Sequence, residues 1–135
     1  MSSYLTFYTR SKDEGSKPIP LVSYSRNNEI YQQFNDTIHP VYIGDSDECK
    51  YTKLTVEQVD SVIKEIESEL RKSNLRLEEY TKHASGNMYM VEYIIEQKEY
   101  IENLEYTLHR TMFIRELVSN SSYSWSKHDI LCNID

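Results

Sequence analysis

Two runs of apolar residues, spaced alternately by four and three and joined by one short turn, constrain this chain more than anything else in it. In the first run, Val59, Ile63, Ile66, Leu70, Ser73, Leu77, Tyr80 and Ala84 make a heptad seam with one polar member. In the second, Met90, Ile94, Gln97, Ile101, Leu104, Leu108, Thr111, Arg115 and Val118 repeat the spacing with more polar members. Between them lies Ser85-Gly86-Asn87. Gly86 suits the left-handed residue that ends a helix, and Asn87 suits the N-cap of the next. Upstream, Thr55 and Gln58 spell a capping box, with Leu54 and Val59 as its hydrophobic staple. The spacing predicts helices over 55–84 and 88–118, and so short a turn forces them antiparallel. About 28 residues at ~1.5 Å each give an arm on the order of 40 Å. A compact globule of this length has a radius of gyration of only about 14 Å, so the arm must protrude or be clasped.

The remainder reads as strands around one small helix. Tyr4 to Thr9 alternates Leu5 and Phe7 with polar or polar-tipped residues, the period of a half-buried strand. Gly15 and Pro18 mark a turn, and Ile19 to Tyr24 is a second strand, with Pro20 near its start suiting an edge or a strand beginning. Ile30, Tyr31 and Phe34 recur at helical spacing, with Ser25 or Asn27 as the expected N-cap. His39-Pro40 stops that helix, Val41 to Ile43 suits a short strand, and Asp45 to Lys50 reads as an acidic loop. After five serines among residues 119–126, Ile130, Cys132 and Ile134 alternate as a last strand returning to the N-terminal sheet. The expected fold is α+β in a single domain. Residues 1–54 form a strand-rich part with a short helix, 55–118 the helical hairpin, and 119–135 the returning strand.

Composition excludes several function classes. Three glycines in 135 residues leave almost no material for a glycine-built phosphate loop. A net charge of −7 argues against binding along a phosphate backbone, so direct nucleic-acid contact is not expected. No apolar run reaches the roughly 18 residues of a membrane helix, and the first residues lack a signal-peptide pattern. Two cysteines, Cys49 and Cys132, suit a reducing cytoplasm better than a disulfide framework. The sequons at Asn35 and Asn120 are then read as chance.

No enzyme signature carries weight. Ser61-x-x-Lys64 and Ser124-x-x-Lys127 match an acylase nucleophile pair, but the first lies on a heptad helix with no implied oxyanion donors. His39, His83, His109 and His128 have no ligand partner at i+3 or i+4, so no metal site is expected. Asp45-Ser46-Asp47-Glu48 starts like a calcium loop, yet Lys50 stands where a glycine is required. The helical glutamates supply a solvated face and no cleft. No cofactor and no catalytic residue are assigned.

Two features point to binding. Ser25, Arg26 and Asn27 lie where a strand runs into a helix start, and its free N–H groups are able to hold one phosphate or carboxylate. The plainer account is a capped helix with Arg26 in water. On the second helix, Tyr89, Tyr93, Tyr100 and Phe113 are read as one stripe beside the seam, with Glu96 and Arg110 between them. Tyrosine and arginine enrich protein interfaces, so this stripe is the expected partner surface. The plainer account has the rings packing on the chain's own sheet or first helix.

Ser2 to Tyr8 (SSYLTFY) and Leu21 to Phe34 (LVSYSRNNEIYQQF), followed by the capped hairpin, resemble small uncharacterised proteins encoded by bacteriophages and prophages. The resemblance implies a small non-enzymatic viral protein made in a bacterial cytoplasm, either a virion accessory part or an inhibitor of host defence. It carries over no functional residue.

The expected function is therefore a non-catalytic protein-interaction module, with the acidic hairpin meeting a basic surface on another protein. The alternative is a protein that sequesters an anionic nucleotide near Arg26. Apolar residues off the seam (Val62, Val91, Ile95, Met112, Ile114 and Leu117) also predict a homo-oligomer built on the hairpin.

Overall fold

The computed structural model describes residues 3–38, 51–84 and 86–134. In chain order it contains β1 (Tyr4–Ser11), β2 (Ile19–Ser25), α1 (Glu29–Thr37), β3 (Thr52–Lys53), α2 (Val56–Lys82), α3 (Met88–Ser121) and β4 (His128–Ile134). The architecture is α+β: a four-stranded antiparallel sheet in the order β2-β1-β4-β3, packed against the base of a long antiparallel pair, α2 and α3. The expected strand at Val41–Ile43, the stop at His39-Pro40 and the acidic loop at Asp45–Lys50 lie outside the described residues.

β1 sits centrally because its alternation has two uses. Leu5 and Phe7 face the helices and are fully buried. Their β4 partners are Ile134 and Cys132, and their β2 partners are Tyr24 and Val22. Phe7 meets Phe34 of α1 edge to face at 5.2 Å and Tyr24 at 6.4 Å. The β1–β2 register slips between Phe7 and Tyr8, where Val22 pairs with Phe7 and Pro20 with Tyr8. Leu21 is thus left without a partner, as a bulge.

The capping box at the start of α2 forms as expected. The Gln58 N–H donates to Thr55 Oγ1 (3.2 Å) and the Thr55 N–H to Gln58 Oε1 (2.9 Å). Leu54 and Val59, the staple, are both in the core. At the turn Gly86 has φ +74°, and Asn87 caps α3 by accepting from the Tyr89 and Met90 N–H groups. α2 nonetheless ends at Lys82, before the expected Ala84 and clear of Gly86, while α3 runs on to Ser121.

The seam on α3 differs in its second half. Gln97, Ile101, Leu104, Thr111 and Val118 are buried as expected, but Thr107, Ile114 and Ser121 are buried as well. Leu108 is only half-buried, and Arg115 lies partly in water, paired with Asp60 of α2. A straight helix drifts about 20° per heptad from a 3.5 repeat. This half of α3 also packs on β4 and α1 as well as α2, so no strict heptad is enforced. Thr107 and Thr111 are tolerated there because each hydroxyl donates back to a helix carbonyl, of Asn103 and Thr107 respectively.

The core thus gathers at one end of the hairpin: Val59, Val62, Ile63 and Ile66 of α2, Ile114 and Val118 of α3, Ile30, Tyr31 and Phe34 of α1, and the inner face of the sheet. Val62, Ile114 and Leu117, read as excess apolar surface, are covered by these neighbours. The other end of the hairpin projects.

Candidate functional site

Gln97 marks where the body stops. It is buried on α3, and its amide donates to the backbone carbonyl of Ser73 on α2 at 3.0 Å. Beyond this pair no described residue between 74 and 96 is buried. Leu77, Tyr80, Ala84, Met90 and Ile94 continue the seam, half-buried. Around them Leu75, Met88, Tyr89, Val91, Tyr93 and Ile95 lie exposed, Met88 at 85% and Tyr89 at 76%. A two-helix tip has only one stripe to bury, so apolar residues outside that stripe have nowhere else to go.

The arm is acidic along its whole length. Above Ser73 and Gln97 the tip carries Arg76 and Lys82 against Glu78, Glu79, Glu92 and Glu96. Lower down, Asp36 of α1 faces Glu65 and Glu69 of α2 across a shallow cleft.

The expected tyrosine stripe divides into three places. Tyr89, Tyr93 and Glu96 are exposed on the tip, with the Tyr93 ring 6.0 Å from that of Tyr80. Tyr100 is internal: half-buried, its hydroxyl donates to Glu69 Oε1 at 3.2 Å. Burial first, and then the charges of Glu29 and Glu69, push the Tyr100 phenol up to about 12. Arg110 lies at the base, its guanidinium 5.5 Å over the Tyr24 ring of β2. Phe113, 65% exposed, stands in the same neighbourhood. Thirteen residues separate Tyr100 from Phe113, which at 3.6 residues per turn sets them roughly 140° apart around the helix. One straight stripe from Tyr89 to Phe113 does not exist.

Ser25, Arg26 and Asn27 do not make an anion cradle. The N-cap of α1 is Asn28, whose side chain accepts from the Ile30 N–H at 3.2 Å, in place of the expected Ser25 or Asn27. The Arg26 N–H donates to the Ser3 carbonyl (3.0 Å), and the Ser25 carbonyl accepts from the Asn28 N–H (2.9 Å). Glu29 in the first turn already sets a carboxylate at the positive end of the helix. The other motifs are equally spent. Ser61 Oγ donates to the Glu57 carbonyl, and among the described residues no three His, Cys, Asp or Glu side chains converge as metal ligands. The Cys132 thiol is free and buried, and burial pushes it up to about 12.

Two surfaces were not legible as such beforehand. The tip had a signal, since Ser73 is the polar member of the first seam and Gln97 the first polar member of the second, and the two mark the border. The second is an open groove of about 630 Å³ between β2 and α3, lined by Leu21, Val22, Tyr24, Arg110, Phe113 and Leu117 among others. Its one sequence sign was the adjacent apolar pair Leu21-Val22, which breaks the strand alternation.

No helix among the described residues is long and apolar enough to cross a membrane. No protein-family model, curated protein or solved structure matches this chain.

Proposed function

We propose that this chain is a non-catalytic protein-interaction module that engages another protein with the free end of its helical hairpin. The observation that carries this reading is the change at Gln97 and Ser73. Below them the hairpin is welded into a core, and above them it exposes Leu75, Met88, Tyr89, Val91, Tyr93 and Ile95. Apolar side chains grouped on a projecting element mark interaction sites, and tyrosines bring large contact area at little rotamer cost. The acidic hairpin favours a partner with a basic surface, which it would steer in the encounter. The resemblance to phage-encoded proteins extends this to an accessory or anti-defence protein that occludes its target in a bacterial cytoplasm.

The experiment compares the intact chain with a Tyr89→Ser/Tyr93→Ser variant. Both are immobilised and challenged with bacterial lysate, and captured proteins are identified by mass spectrometry. A specific protein retained by the wild type and lost by the variant, with unchanged circular-dichroism melts, supports the tip. Equal capture by both removes it.

A further inference from the structure

The groove beside β2 is a separate surface at the opposite end of the molecule from the tip. β2 is an edge strand: among the described residues it pairs with β1 alone, so one side of its backbone has no strand partner. Natural edges are blunted by charged side chains, bulges that twist away, or short length. β2 runs seven residues, IPLVSYS, with no charged side chain, and exposes Ile19 at 63% and Leu21 at 48%. Its bulge does not turn the edge away from the helices. Leu21, without a partner on β1, lines the groove together with Val22. Only Pro20, which has no N–H to donate, interrupts the edge, and it does so before Leu21.

The far wall is α3, with Arg110, Phe113, Ile114 and Leu117, and Tyr24 contributes from the strand side. A strand added to β2 would lie about 4.8 Å beyond it and send every second side chain toward these residues. Arg110 determines the kind of strand. Its guanidinium is held over the Tyr24 ring, and it has no carboxylate partner among the described residues. In a chain of net charge −7, an uncompensated guanidinium on the rim of an apolar groove selects for a carboxylate. A second copy meeting β2 edge to edge would bring no acid, because β2 contains none.

We propose that the β2 edge and the groove beside it form a strand-addition site for an extended peptide segment of a partner protein, with alternating apolar side chains and one acidic residue that pairs with Arg110. Main-chain hydrogen bonds to β2 supply affinity, the Leu21–Phe113 groove selects apolar residues at every second position, and Arg110 fixes the register.

The test selects a displayed random heptapeptide library on the intact chain, with counter-selection on Phe113→Asp. This substitution sits at an exposed side chain, and its fold is checked by circular dichroism. Leu21→Asp, on the opposite wall, serves as the second variant. The expected result is enrichment of peptides with alternating apolar residues and one Asp or Glu. N-methylation of alternate peptide nitrogens should abolish their binding. Arg110→Gln should weaken them about tenfold, the size of one charge-assisted hydrogen bond, and should leave their Glu→Gln counterparts unaffected. Tyr89→Ser/Tyr93→Ser should bind them as the wild type does, which separates this site from the tip. The proposal is overturned if nothing is enriched over the counter-selection, if enriched peptides are basic or tolerate every N-methylation, or if the tip variant is the one that loses them. A dimer in sedimentation that Leu21→Asp dissolves would also overturn it, assigning the edge to a second copy.

Discussion

The amide of Gln97 on α3 reaches across the hairpin to the carbonyl of Ser73 on α2, 24 residues earlier in the chain, and closes the last buried layer before the arm enters solvent. The layer is polar on both sides, and Ser73 Oγ is buried with no hydrogen-bond partner. An unpaired buried hydroxyl costs roughly 1–3 kcal/mol by mutational measures. Ser73→Ala should therefore raise stability by about 1 kcal/mol. Gln97→Ala, which removes the bridging amide and leaves a void, should lower it by about 1–3 kcal/mol. Urea unfolding of both variants checks the pair of opposite signs.

The base of the hairpin should behave as the stability core. Ile66 is fully buried among α1, α2 and the sheet, and Ile66→Ala should cost about 2–5 kcal/mol. Its neighbour Glu67 is exposed, and Glu67→Ala should cost below about 0.5 kcal/mol. Equal melting temperatures for the two would contradict the observed packing.

Tyr100 makes alkaline stability measurable. Its phenol is pushed from 10.0 up to about 12, chiefly by burial, so the folded state holds the proton more tightly than the unfolded state does. Its contribution is fully present below about pH 10 and is lost as pH rises through about 12. Tyr100→Phe has no proton to lose, so its stability should fall less steeply than that of the wild type across this window. Chemical denaturation at intervals from pH 9 to 12 reads the difference in slope, since the other tyrosines and the lysines are common to both chains.

Cys132 should be chemically silent in the folded protein. It is 1% exposed, on β4 between β1 and β3, and its thiol titrates only near 12. Only thiolate reacts with alkylating agents. In a Cys49→Ser background, iodoacetamide at pH 8 should leave the native chain unmodified and label it fully in denaturant, as mass spectrometry would show.

Self-association is expected through the tip, where exposed apolar residues lie on both helices, Leu75 on α2 and Met88, Val91 and Ile95 on α3. Light scattering at tens of micromolar should give a mass above the 16.1 kDa of one chain, reduced by Met88→Ser/Val91→Ser. A single species of 16.1 kDa would restrict the tip to a different partner.

The sequence alone determined the elements whose signals are local. The Thr55–Gln58 box, Asn87, the seam from Val59 to Leu104 and the alternation of β1 and β4 each depend on residues within a few positions, and each is found as read. Tertiary structure decided what covers each face. Thr107 and Ile114 displace Leu108 and Arg115 from the seam because α1, tens of residues earlier, and β4, the strand that follows α3, pack on it. The tyrosines separate for the same reason: Tyr100 is taken up beside Glu69 while Tyr89 and Tyr93 pass beyond the body. Periodicity specifies which residues share a face. Burial of that face is a long-range property, fixed only when a second element arrives to exclude water from it.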